Sequence, residues 1–440
     1  MKTTTPQSSS PSQSSSPSIV ALGLEWLGFA FFLFVSFQAA FLQPYVILIM
    51  GHPSNGFTAL LAAGCAVSGL LGGNPVGAGT RRELAISAAL LCLALVSSSL
   101  ALDPGDSVYR AIIVMGCMLG GFWSARLYLR DHLKLRIFFW FCLAALAVLS
   151  VLGLHAALHG EKSFVPFDVN PHPYTSRVVL LSFTVVALLT RVRCAGAPAW
   201  PARLGGVVLA LLAMAAMVLT RLRTAALVVI LMLVCGAWAR LFRLRLFFAA
   251  LLVFVLLGVL FLVFPVHEEY MVKSRYQEVY YRLESYPFTW HIAKQNPLLG
   301  IGLRTPREDH LEQYDMVFDF VDRETFQRSL RKLVSGENMY LTFLSGMGMP
   351  FTALFLFCLG AVYLRLYRGA SQGEQGWPYP PLALFLPVTG FLFHLMFVDG
   401  LMLAHVSWYF HVLMGLVPMS RERGREKPDS AWEGREGGPA

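Results

Sequence analysis

The chain has 440 residues, of which 56% are hydrophobic and 14% charged, and its formal net charge is +9. A soluble chain of this size would carry about a quarter charged residues. The apolar residues instead come in blocks close to the ~20 residues that a helix needs to cross a bilayer, and they lack the period-two alternation of outer-membrane strands. The composition therefore specifies an all-α polytopic membrane protein. The positive charge reads as an orientation signal, so no nucleic-acid partner is expected. The seven cysteines show neither CxxC nor CxxH spacing, which speaks against a zinc site.

In chain order, residues 1–18 are Ser, Pro, Gln and Thr with a single Lys. Such a composition cannot bury a core, and a disordered tail is expected. About twelve spans follow, near 19–37, 56–74, 83–101, 109–126, 135–156, 176–192, 204–220, 224–241, 244–264, 339–366, 381–399 and 402–419. The resulting division is a tail over 1–18, nine spans within 19–264, a large loop over 265–338, three spans within 339–419 and a second tail over 420–440. Segments on one side carry Lys2, Arg81, Arg82, Arg126, Arg130, Lys134, Arg136, Arg191, Arg193, Arg203, Arg240, Arg243, Arg245, Arg365 and Arg368, with more basic residues in the final tail. The short loops on the other side hold only Arg110, Lys162, Arg177, Arg221 and Arg223. Lys and Arg favour the cytoplasmic side. Both termini are therefore expected inside, and the loop over 265–338 outside.

That loop is patterned. Glu268 to Glu284 mixes charge with tyrosine, as a helix lying along the interface does. Ser285 to Gln295 predicts a short helix with Pro287 in its first turn, ending at Asn296-Pro297. Phe320 to Val334 places Phe326, Leu330, Leu333 and Val334 on one face. Gly300-Ile301-Gly302 lacks the third glycine and the preceding strand of a nucleotide fingerprint. It is better suited to a tight backbone turn ahead of Arg304.

Several residues suit chemistry at the outer interface. Arg221 and Arg223 sit in the short outer turn Thr220-Arg221-Leu222-Arg223-Thr224. Either they snorkel to lipid phosphates or their planar forks clamp a phosphorylated ligand. Arg177, after Asn170-Pro171-His172-Pro173-Tyr174-Thr175-Ser176, is a third cation at that depth, with an interface anchor as the alternative. Glu337 stands where the loop enters a span. The helix dipole accounts for a carboxylate there, and so does a role as a general base. The histidines of the loop and of the last two spans, His394, His405 and His411 among them, read mostly as packing or hydrogen-bonding groups. Asp399, near an outer helix end, is a candidate partner for one of the arginines.

Three stretches then carry a family likeness: Trp290-His291-Ile292-Ala293 running into Asn296-Pro297-Leu298-Leu299-Gly300-Ile301-Gly302; Glu337-Asn338 followed after nine residues by Gly348; and the turn holding Arg223. With these the chain resembles the O-antigen ligase and polymerase superfamily of bacterial inner-membrane glycosyltransferases. The family's ligases have His where this chain has Glu337. The resemblance implies a GT-C-like bundle with its large helical loop, periplasmic in such a membrane, between the ninth and tenth spans. It implies a glycan donor carried on polyprenyl pyrophosphate, and an acceptor that is a lipid A-core or another glycan. Transfer would invert the sugar at the periplasmic face, without metal or other cofactor.

On this reading Arg177, Arg221 and Arg223 hold the pyrophosphate, Glu337 takes the proton from the acceptor hydroxyl, and Asn338 and Arg304 orient the substrates. Ligase and polymerase are not separated by these motifs. Two rivals of other classes are a lipid-linked glycan transporter and a non-catalytic scaffold. Transporters place ionisable groups near the bilayer midplane, whereas Val178 to Leu262 holds no acidic residue.

Overall fold

The computed structural model describes residues 19–41, 64, 78–101, 103–158, 171–190, 199–219, 223–238, 284–303, 323–324, 326–327, 338–372 and 379–417. Among these, regular structure is helical, with no strand. We label the helices α1 (Ile19–Phe41), α2 (Ala78–Ser99), α3 (Pro104–Tyr128), α4 (His132–Leu158), α5 (Pro171–Leu181), α6 (Phe183–Leu189), α7 (Ala199–Leu219) and α8 (Arg223–Trp238). Then come α9 (residues 284–295), α10 (Met339–Gln372), α11 (Pro381–His394), a 3-10 turn (Gly400–Met402) and α12 (Ala404–Gly415).

Among the described residues, six helical runs are long and apolar enough to cross a membrane. Shorter apolar helices, α7, α8 and α11, accompany them. The outward faces fit a lipid surround. On α7, Leu204, Val207, Val208 and Leu211 are all exposed at helical spacing, and Phe357 on α10 is 69% exposed. Apolar patches of that extent are not left to water. The chain is thus a multi-pass helical membrane protein. The expected spans at 56–74 and 244–264 lie outside the described residues, apart from Gly64 in the first, which is helical.

α12 is the central post, packed against α3, α1, α5 and α11. Its approach to α3 requires glycine on both sides. A Cβ at Gly121 would stand 2.7 Å from the Trp408 carbonyl oxygen, and one at Gly415 would stand 2.5 Å from that of Phe122. Small residues permit such backbone contact between membrane helices. α1 adds polar fixings through Ser36, whose hydroxyl accepts from Trp408 Nε1 at 3.1 Å and whose carbonyl accepts from the Tyr409 hydroxyl at 2.6 Å. With no water in the bilayer core, such donors must find partners within the protein.

The two ends of the bundle differ. Where α3 ends and α4 begins, Arg126 pairs with Glu83 at 3.0 Å. Beside them Lys134 pairs with Glu25 and lies over the Trp26 ring. At the opposite end α4 receives α5, whose Tyr174 hydroxyl donates to Leu149 O at 3.1 Å. Arg177 stands at this second end.

Two spans depart from the simple helices expected of them. The run from Pro171 to Leu189 is interrupted at Ser182. The span beginning at Met339 is broken at Gly348, where φ is +79° and ψ 174°. Phe343 meets Phe351 and Phe355 at ring-centroid distances of 5.4 and 5.1 Å. In one straight helix residues 343 and 355 would be about 18 Å apart along the axis, so α10 bends sharply into a short limb and a long limb.

Gly121→Leu should separate α3 from α12. Overpacking costs about 1–3 kcal/mol, and a lowered unfolding temperature of the detergent-purified protein is the expected outcome.

Candidate functional site

The site end is built around the break in α10. In an unbroken helix the Ser345 and Gly346 carbonyls would accept from the amides of residues 349 and 350. Pro350 has no N–H, and the Met349 amide turns away to donate to Pro297 O at 2.7 Å. Both carbonyls are taken up by the loop instead. Ile301 N–H donates to Ser345 O at 2.8 Å, and Gly302 N–H donates to Gly346 O at 2.9 Å. The Ser97 hydroxyl of α2 reaches Leu299 O and, at 3.2 Å, Gly346 O. The segment 297–302 is therefore a backbone splint across the break.

Glycine is required on both sides of this junction. Gly300 has φ +68°, and a Cβ there would lie 2.6 Å from Gly346 backbone atoms. At Gly348 a Cβ would lie 2.3 Å from Leu298 O. The tight turn expected of Gly300-Ile301-Gly302 is present and is folded against Ser345 and Gly346, while Leu298 meets Gly348, the glycine that closes the second motif.

α9 holds the splint from the other side. It ends before Asn296-Pro297, as the sequence requires, and buries Phe288, Ile292 and Ala293 while leaving Trp290 exposed. Tyr286 donates its hydroxyl proton to Met396 O at 2.9 Å, tying α9 to the segment after α11.

The short limb of α10 opens on Asn338. Its Oδ1 accepts from Tyr340 N–H at 3.1 Å and Leu341 N–H at 3.2 Å, an N-cap of the usual kind. Met339 N–H donates to Leu395 O at 3.0 Å, and the Tyr340 hydroxyl donates to Leu392 O at 3.0 Å. One turn on, the Thr342 hydroxyl donates to Asp399 Oδ1 at 2.7 Å. Asp399 is buried, as are His394 and His405. The first turn of α10, the end of α11, the 3-10 turn and the start of α12 thus meet in one place.

α5 completes this wall, packing against α11, the 3-10 turn and α12. Its Arg177 is fully buried, with 0% of its surface exposed. It lies inside the bundle, where an anchor in the lipid interface would not. Its charge acts on His405 and Tyr409 of α12. His172, also on α5, has its ring 5.9 Å from that of His394.

Of the residues singled out in the sequence, Arg177 and Asn338 are brought to this end of the bundle. Glu337, Arg221 and Arg304 lie outside the described residues; Arg223 begins α8, and its side chain also falls outside them. Asp399 accepts a hydrogen bond from the Thr342 hydroxyl. His394 and His405 belong to the site wall, which their place in apolar helices did not disclose. Among the described residues no group of three or more His, Cys, Asp or Glu could hold a metal ion.

The fold and this cluster define a helical membrane protein with a group of buried polar and ionisable side chains beside a broken helix. Residues 207–356 match a family model described as O-Antigen ligase, which supports the resemblance to the O-antigen ligase and polymerase superfamily. The match takes in the splint, Asn338 and Gly348. Members of that family are glycosyltransferase-like ligases and polymerases acting on lipid-linked glycans in membranes. No curated protein matches the chain.

Gly348→Ala should loosen the splint. A non-glycine residue forced into that conformation costs about 1–3 kcal/mol. The variant is expected to show faster proteolytic cleavage within 296–303 than the wild type, with its helical circular dichroism retained.

Proposed function

We infer that this protein transfers a glycan from a polyprenyl-pyrophosphate carrier to an acceptor hydroxyl, in the manner of an O-antigen ligase. The observation that carries the reading is the fully buried Arg177 at the same end of the bundle as Asn338 and the capped first turn of α10. Planar guanidinium forks bind phosphate oxygens bidentately, and they stabilise the charge that develops as a diphosphate departs. Arg221 and Arg223 belong to the same diphosphate site in this reading.

Glu337 directly precedes Asn338. It takes the proton from the acceptor hydroxyl as oxygen attacks the anomeric carbon from the face opposite the diphosphate. The carbon–oxygen bond to the carrier breaks, the electron pair leaves with the diphosphate, and the anomeric configuration inverts. Asn338 and Arg304 orient the two substrates. Covering the site keeps out water, which would otherwise hydrolyse the donor. The protein sits in a bacterial inner membrane, with this end facing the periplasm and both termini in the cytoplasm.

Polymerisation of lipid-linked repeats uses the same chemistry with a different acceptor. A deletion strain separates the two: loss of a ligase strands long polymer on the carrier, whereas loss of a polymerase leaves single repeats on the lipid A-core.

Glu337→Gln tests the mechanism with purified protein and a lipid-linked donor. A general base contributes about 10²–10⁴-fold, so transfer should fall by at least ~100-fold while donor binding is unchanged. Wild-type transfer by the variant removes Glu337 from the mechanism, and no transfer by the wild type favours a binding scaffold.

A further inference from the structure

We propose that His405 is a direct ligand of the diphosphate, its imidazole N–H donating to an oxygen of one phosphoryl group while Arg177 holds the other. The inference rests on the reading of Arg177 as a diphosphate ligand and adds a residue to that site.

The argument begins with the polar side chains of α12. Trp408 donates to the Ser36 hydroxyl and Tyr409 to the Ser36 carbonyl. His411 Nδ1 lies 2.8 Å from Ser407 O, within the same helix, and 3.4 Å from the Ser407 hydroxyl. Each polar group on this helix thus has a protein partner, with one exception. His405 is 4% exposed, and neither ring nitrogen has a hydrogen-bond partner among the described residues. A buried polar group left in that state costs about 1–3 kcal/mol, and each such group in a folded protein calls for an explanation.

Position supplies one. His405 lies in the first turn of α12, at the junction with Asp399 and the 3-10 turn, and the charge of Arg177 acts on it. Tyr409, one turn further along, also feels Arg177, but its hydroxyl is committed to Ser36. His405 is therefore the group on α12 with hydrogen-bonding capacity in reserve beside the buried cation. An anion that reaches Arg177 meets a donor there, and an imidazole can offer one. The ligand selected is a diphosphate, in which His405 and Arg177 each take one phosphoryl group; a monophosphate has only the group that Arg177 engages.

The test uses the full-length protein in nanodiscs with farnesyl diphosphate and farnesyl monophosphate as probes, and binding is measured by isothermal titration calorimetry. His405→Leu and His405→Met remove the donor; His405→Gln keeps one. A hydrogen bond to a charged group corresponds to about ten-fold or more in affinity. Diphosphate affinity should fall by about that factor in both apolar variants and return to within about three-fold in His405→Gln. Monophosphate affinity should change less than two-fold, roughly. Wild-type diphosphate affinity in either folded apolar variant overturns the proposal, as does an equal loss in His405→Gln, which a purely structural role would produce.

Arg177→Gln separates this result from the reading beneath it. If Arg177→Gln abolishes diphosphate binding while the apolar His405 variants retain it, the role of His405 alone falls. If Arg177→Gln binds as the wild type does, the diphosphate site itself is elsewhere.

Discussion

The arrangement depends on two backbone carbonyls with nowhere to go. Pro350 removes the amide that Gly346 O would need in a continuous helix, and the Met349 amide leaves Ser345 O for Pro297 O. In a bilayer an unsatisfied carbonyl is costly, so the break in α10 can exist only where another segment supplies donors. Residues 297–302 supply them, with Ser97 adding a hydroxyl. Once the break is secured, the short limb is free to take a direction of its own. It sets Asn338 and Thr342 against the end of α11 and against Asp399. A loop far away in sequence thus determines where the first turn of α10 lies.

Much of this was legible in the chain itself. The span-length apolar blocks gave the class, and the helix over 285–295, stopped by Asn296-Pro297, is present as α9 over 284–295. The likeness to O-antigen ligases agrees with the family match over 207–356. What pattern could not show was that the two motifs are halves of one structure. Hydropathy is blind to the break at Gly348, because the residues on both sides are apolar and one window covers both limbs. Only the placement of Pro350 two residues after a glycine hinted at it. Burial was also hidden. Arg177 reads equally well as an interface anchor, and the packing that encloses it comes from α11 and α12, more than 200 positions later. His405 sits in an apolar helix, where a lone histidine resembles core.

The junction at the end of α11 gathers groups that are expensive to bury. Arg177, His394, His405 and Asp399 all lie there, each almost without exposure. A membrane protein has little reason to enclose such groups for stability alone, since apolar residues of the same volume would do as well or better. Intramembrane ionisable residues mark sites of function for that reason. Hydrogen bonds such as Thr342 to Asp399 hold the walls in a fixed geometry before any ligand arrives, which lessens the ordering that binding must impose.

The glycine contact between α3 and α12 bears on this junction from a distance. With Trp408 O set against Gly121 and Phe122 O against Gly415, the two backbones meet without cushioning side chains. The height of α12 along the bundle axis is therefore determined by main-chain atoms, and so is the level at which its first turn presents His405 to α5. An added methyl group near the middle of α3 would shift that level as a lever shifts its far end. The level of the buried His405 is in this sense written into helix surfaces well removed from it.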